Sequence, residues 1–118
     1  MLWHKLTDIS QLQDIIKNTQ EQSAAKLAVL IFKHSTRCSI SSMALNRLET
    51  RWKDDESVPA YYLDLLQYRE ISNEIANLFS VEHASPQVLL IKNGTCVYNA
   101  SHTDISAADI LTAVQTTV

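Results

Sequence analysis

The sequence predicts a layered α/β fold, a central mixed sheet flanked by helices in the order β-α-β-α-β-α-β-β-α. Three observations lead there. The run Leu27-Ala28-Val29-Leu30-Ile31-Phe32 is continuously apolar, as expected of a central strand covered on both faces. Apolar residues recur at helical spacing in two later stretches. Asn93-Gly94, set between two strand-like segments, is the preferred pair for a two-residue hairpin turn.

Taken in order, Trp3 to Leu6 suits a short edge strand. Ser10-Gln11-Leu12-Gln13 fits a capping box, and Leu12, Ile15 and Ile16 supply the stripe of the helix it opens. The apolar strand then gives way to a polar loop, Lys33-His34-Ser35-Thr36-Arg37-Cys38. Beyond it Ile40, Ala44, Leu48 and Trp52 repeat at helical spacing, with an end expected near Lys53-Asp54-Asp55. Pro59 to Asp64 reads as the next strand. Ile71, Ile75, Leu78 and Phe79 define an amphipathic helix. Gln87 to Ile91 and Thr95 to Ala100 form the hairpin, and Ser106 to Asp109 caps a last helix stapled by Ile105 and Ile110. A βαβ start and a hairpin-plus-helix finish are the thioredoxin layout.

The chain has 118 residues, which suits one domain over 1–118. A hydrophobic share of 46% can fill a core, which argues against disorder. Net charge is -3 and the basic residues are scattered, so nothing suggests nucleic-acid binding. The longest apolar run is too short for a membrane span, and no secretory leader is evident, so the expected location is cytoplasmic. Two cysteines, Cys38 and Cys96, make no disulfide framework, which leaves two thiols to explain.

Cys38 stands where a central strand hands over to a helix. Unsatisfied N–H groups and the positive end of the helix dipole favour a thiolate there. Arg37, His34 and Lys33 add cationic or potentially cationic neighbours, and the thiolate is the reactive form. A buried packing cysteine would not be expected among His34, Ser35, Thr36, Arg37 and Ser39. The motif is Cys38-Ser39-Ile40-Ser41, C-x-x-S, so no internal disulfide closes across it and a mixed disulfide must pass to an outside thiol. Ser41 is placed either to donate a hydrogen bond toward the thiolate or to serve as a simple first-turn residue.

Ser85-Pro86 opens the hairpin, where a cis proline would face the cysteine across a cleft. Cys96, in the second hairpin strand, reads as a packing residue. His4, His34, His83 and His102 lack ligand spacing, so no metal site is expected. His83 stands close enough in sequence to Pro86 to approach the cleft. Asp64 reads as a proton relay or as a capping or solvated carboxylate, and Arg69 as an anchor for an anion or a plain residue of an exposed helix face.

Phe32-Lys33-His34-Ser35-Thr36-Arg37-Cys38-Ser39-Ile40-Ser41, Asp64-Leu65 through Tyr68-Arg69, Ser72-Asn73, Val81-Glu82-His83-Ala84-Ser85-Pro86-Gln87, Lys92-Asn93-Gly94 and Ser101-His102 resemble the YtxJ family. Its members are the monothiol bacilliredoxins, also described as general stress proteins. The resemblance implies a thioredoxin fold and removal of bacillithiol from mixed disulfides on cytosolic proteins. Ser39 stands where the family pattern has proline, which helps a first helical turn without being required. Ala84 stands where the pattern has glutamate, removing a charge near the cleft.

The expected activity is therefore a monothiol thiol–disulfide oxidoreductase with no bound cofactor and a bacillithiol-like small thiol as co-substrate. S-thiolated cytosolic proteins would be the substrates, and a small thiol or a partner redoxin would recycle Cys38. Cys38, Arg37 and Ser41 form the expected catalytic set. His34, Thr36, Ser85, Pro86, Arg69 and His83 are expected to line the substrate groove. Two other readings are a redox-sensing binding module and a monothiol iron–sulfur carrier, the latter without its C-G-F-S pattern.

Overall fold

The computed structural model describes residues 3–20, 28–52 and 58–116. Its elements are β1 (Trp3–Lys5), α1 (Ser10–Gln20), β2 (Ala28–His34), α2 (Ser39–Arg51), β3 (Ala60–Asp64), α3 (Arg69–Phe79), β4 (Gln87–Lys92), β5 (Thr95–Ser101), a single 3₁₀ turn (His102–Asp104) and α4 (Ala107–Thr116). The five strands lie in the order β1-β3-β2-β4-β5. β1, β3 and β2 run parallel, whereas β4 is antiparallel to both β2 and β5. This is the expected α/β thioredoxin-like architecture in the expected order. Leu27 and the helix end expected at Lys53-Asp54-Asp55 lie outside the described residues.

β2 is buried along its whole length because helices cover both faces. On one face Leu30, Phe32, Val88 and Leu90 meet Ala44 and Leu48 of α2 and Ile110 of α4. On the other, Val29, Ile31, Leu89 and Ile91 meet Leu12 and Ile15 of α1 and Ile71 and Ile75 of α3. Alternation along a strand forces successive side chains into different layers. The same rule decides the fate of the two polar residues that end β2.

Local signals are met with two corrections. α1 is not opened by a capping box at Ser10, which is the first helical residue. Gln11 Oε1 instead accepts the N–H groups of Thr7 (2.8 Å) and Asp8 (3.0 Å), while Asp8 Oδ1 accepts that of Ser10 (2.9 Å). A short acceptor two residues upstream reaches the helix start better than a side chain already inside the turn. The second correction concerns Lys33 and His34, expected in a loop but held inside β2, in register with Gln87 of β4 and Asp64 of β3.

The hairpin turn is as expected. Asn93 and Gly94 both take positive φ (56° and 76°), the backbone that a tight turn between twisted strands requires. The Gly94 N–H also donates to Thr19 Oγ1 at 3.0 Å, pinning the turn to α1. At the far end Ser106 Oγ accepts the Asp109 N–H (3.4 Å), and Ile105 and Ile110 are both buried, in keeping with the staple.

Candidate active site

The parallel strands β2 and β3 end at the same edge of the sheet, and antiparallel β4 begins there. The loop after β2 and the segment before β4 are thereby brought side by side. Cys38 is the N-cap of α2, with an extended backbone (φ -105°, ψ 122°). Its N–H donates to the Ser35 carbonyl at 3.1 Å, and its carbonyl accepts the Ser42 N–H at 3.1 Å. No side chain caps the helix and no acidic residue sits in its first turn. Cys38 therefore stands at the positive end of a 13-residue helix whose first N–H groups have no side-chain cap. Cys38 is half-buried, while Thr36 and Arg37 beside it are exposed and free to meet a substrate.

Ser41 and His34 take different places from those expected. Ser41 is fully buried; its Oγ accepts the Ser35 N–H (3.0 Å) and lies 2.6 Å from His34 Nδ1. The hydroxyl is thus engaged beneath the loop rather than with the Cys38 sulfur. His34 is only 4% exposed and stacked near Phe32 and Tyr62, so it braces the loop instead of lining a groove. Burial is the main cause of its lowered pKa, partly offset by the Asp64 carboxylate.

Lys33 points to the opposite face and is completely buried. Its Nζ donates to the Ser72 carbonyl of α3 and to His83 Nδ1, each at 3.2 Å. Burial pulls its pKa down to about 8. His83 is exposed on its outer side, and Ser72 Oγ stands 3.2 Å from the same Nδ1. The His83 pKa is lowered first by burial, then by the charges of Lys33 and Arg69.

The Ser85-Pro86 peptide is cis, and Pro86 is buried. The Pro86 carbonyl accepts the His102 N–H at 3.0 Å, and Ser85 Oγ is buried without a hydrogen-bond partner. Gln87, also buried, donates from Nε2 to the Glu82 carbonyl (3.0 Å) and accepts the Ala84 N–H at Oε1 (3.4 Å). Arg69, the first residue of α3, is exposed and lines a cleft of about 460 Å³ with Thr7, Asp8 and Gln67. Asp64 caps the following turn, its Oδ1 accepting the Leu66 N–H at 3.2 Å.

A family model for the monothiol bacilliredoxin BrxC matches residues 4–110. The chain belongs to the monothiol bacilliredoxin family. Solved structures agree on the fold. A thioredoxin-fold protein assigned as an oxidoreductase is 31% identical over 94% of this chain and 92% of its own, with a TM-score of 0.75. Mitochondrial thioredoxin 3 of Saccharomyces cerevisiae superimposes with a TM-score of 0.67 at 18% identity, covering 96% of this chain and 93% of that one. Fasciola hepatica thioredoxin does so at 0.65 and 18%, over 93% and 94%. Family and first-named neighbour together support a thiol redox role for this bacilliredoxin.

The second cysteine of this bacilliredoxin has a different character. Cys96 is half-buried in β5, its Sγ donating to the Tyr98 carbonyl at 3.3 Å, and burial raises its pKa. It packs as a protonated thiol, and neither cysteine is disulfide-bonded. Among the described residues no helix is long and apolar enough to cross a membrane. No group of three His, Cys, Asp or Glu side chains converges among them either. Sequence reasoning took Lys33 for a cationic neighbour of Cys38, whereas it is buried toward Ser72 and His83, and gave Ser72 and Gln87 no role of their own. A lysine continuing an apolar strand was the available signal for the first, and a glutamine directly after Pro86 for the last.

Proposed function

We propose that this chain is a monothiol thiol–disulfide oxidoreductase that removes a bacillithiol-like small thiol from mixed disulfides on cytosolic proteins. The observation that carries the reading is Cys38 alone at an uncapped helix N-terminus, with a buried serine three residues on where a dithiol centre would hold its partner. The Cys38 thiolate attacks the small-thiol sulfur of the mixed disulfide. The new bond joins Cys38 to the small thiol, the old disulfide breaks, and the protein sulfur leaves as a thiolate that takes a proton from water. A second small thiol, or a partner redoxin, then attacks the adduct and returns Cys38 to the thiolate.

Exposed Arg37 and Thr36 flank the attacking sulfur, and Arg37 supports its negative charge. Ser85 and Pro86 form the facing wall of the groove. Arg69 offers a cation to the carboxylates of the small thiol, and the outer edge of His83 offers a hydrogen-bonding group. Ile40 and Met43, 44% and 64% exposed on α2, give the rim an apolar surface suited to a protein substrate.

The deciding experiment is intact mass spectrometry after mixing the protein with a bacillithiol-modified test protein, with glutathione and coenzyme A versions alongside. One small-thiol adduct on wild type, absent from Cys38→Ser and matched by deprotected substrate, is the expected result. Absence of transfer from every donor overturns the reading and leaves Cys38 at most a sensor.

A further inference from the structure

Consecutive polar residues at the end of β2 are buried on opposite faces of the sheet. His34 braces the cysteine loop on one side. Lys33 reaches the other way, into a layer otherwise filled by Val29, Ile31, Leu89 and Ile91. No carboxylate among the described residues pairs with its ammonium, whose partners are a carbonyl and a neutral imidazole. A buried cation with only neutral partners is costly, and an apolar side chain would fill the place more cheaply. What the lysine contributes is a connection. His83 lies in the segment from Ser80 to Pro86 that joins α3 to β4 without regular structure. Three buried side chains hold that segment, Gln87 through the backbone of Glu82 and Ala84, and Lys33 and Ser72 through the His83 ring. Lys33 and Gln87 are themselves partners across β2 and β4. The strand that carries the Cys38 loop therefore also fixes the approach to Pro86.

We propose that Lys33 is a positioning residue for thiol exchange, holding the 81–86 segment against β2 through His83 so that the facing wall of the groove stays in place while His83 Nδ1 is unprotonated. The inference rests on the reading of Cys38 as the exchange thiol. Protonation at Nδ1 removes the acceptor and sets a second cation against the Lys33 ammonium at a 3.2 Å contact. The groups around the imidazole are Lys33 from β2, Ser72 and Arg69 from α3, Glu82 next to it in the chain, and the uncharged Gln87, Asn99 and Ser101 of β4 and β5. Two cations against one exposed carboxylate oppose protonation, and burial adds to that. Exchange then falls on an acid limb set below the ordinary histidine range.

Wild type, Lys33→Met and His83→Asn would each be run through two reactions across pH 4.5–8, a range chosen around the histidine titration. One is transfer from a small-thiol-modified test protein, which needs the groove; the other is alkylation of Cys38 by iodoacetamide, which does not. Lys33→Met lowers transfer by about tenfold or more while alkylation stays within about twofold, the mark of misplacement rather than a damaged thiol. Thiolate protonation slows both reactions alike, so His83 is read from the acid loss of transfer beyond that of alkylation; His83→Asn, whose Oδ1 accepts from Lys33 at every pH, loses that excess whatever its plateau. Equal transfer by Lys33→Met and wild type overturns the proposal, as do parallel losses in both reactions or an excess acid loss of transfer that survives in His83→Asn. If wild type itself transfers nothing, the proposed activity fails separately. Backbone amide shifts of residues 82–85 in Lys33→Met then decide the positioning, and unmoved resonances overturn it.

Discussion

His34 Nδ1 and Ser41 Oγ lie 2.6 Å apart, joining the last residue of β2 to the first turn of α2 beneath Cys38. Ser41 also takes the Ser35 N–H, so strand end, loop and helix start are tied at one buried hydroxyl. In the C-x-x-S motif of this bacilliredoxin the serine thus serves the geometry of the loop that presents the thiol.

Removal of that hydroxyl leaves the Ser35 N–H and the His34 ring without their buried partner. Ser41→Ala is expected to lose roughly 1–3 kcal/mol of stability, the usual cost of stranding buried polar groups. Urea unfolding measures it. A midpoint equal to wild type would mean that the loop holds its shape without the serine.

The folded-state pKa of His34 is lowered, chiefly by burial, below the 6.5 of an exposed histidine. As pH falls through 6.5 the unfolded chain takes up this proton first, so stability declines, and the loss is complete below the folded pKa. His34→Asn keeps an acceptor for Ser41 and does not titrate. Its unfolding free energy should fall less steeply than wild type between pH 7 and 5, a range spanning that titration; identical slopes would show that His34 contributes nothing.

Lys33 titrates at about 8 in the fold against 10.5 for an unperturbed lysine. Across that window the unfolded state binds more protons, so wild type gains stability as pH rises from about 8 toward 10.5. Lys33→Met lacks this gain, and the two stability curves should diverge by at most on the order of 3 kcal/mol. Parallel curves in chemical denaturation at pH 8 and 10, chosen inside the lysine range, would show the ammonium to be better solvated than its burial implies.

Burial raises the pKa of the Cys96 thiol, whereas Cys38 stands half-buried at a helix N-terminus with no side-chain cap. Limiting iodoacetamide at pH 7 is expected to label Cys38 at least about tenfold faster than Cys96. Peptide mapping reads the ratio directly. Comparable labelling of both would remove the basis for treating Cys38 as the distinct nucleophile.

The α/β order, the Asn93-Gly94 turn, the Ser106 cap and the cysteine at a strand-to-helix junction were all legible in the sequence, because each depends on residues a few positions apart. Periodicity, turn preference and end capping are local physics, and the C-x-x-S motif carries its monothiol constraint with it. The roles of Lys33, His34 and Ser41 were not legible, because their partners come from elsewhere in the fold. A polar run after an apolar strand reads as a loop, yet pairing with β3 and β4 keeps Lys33 and His34 in the sheet. Alternation then sends one side chain toward α3 and His83 and the other toward α2. From the sequence alone came where the thiol sits and that serine, not a second cysteine, stands three residues on. Only the packing of helices on both faces of β2 decided that Lys33, His34 and Ser41 are buried braces, since burial is a property of the layers and not of the strand.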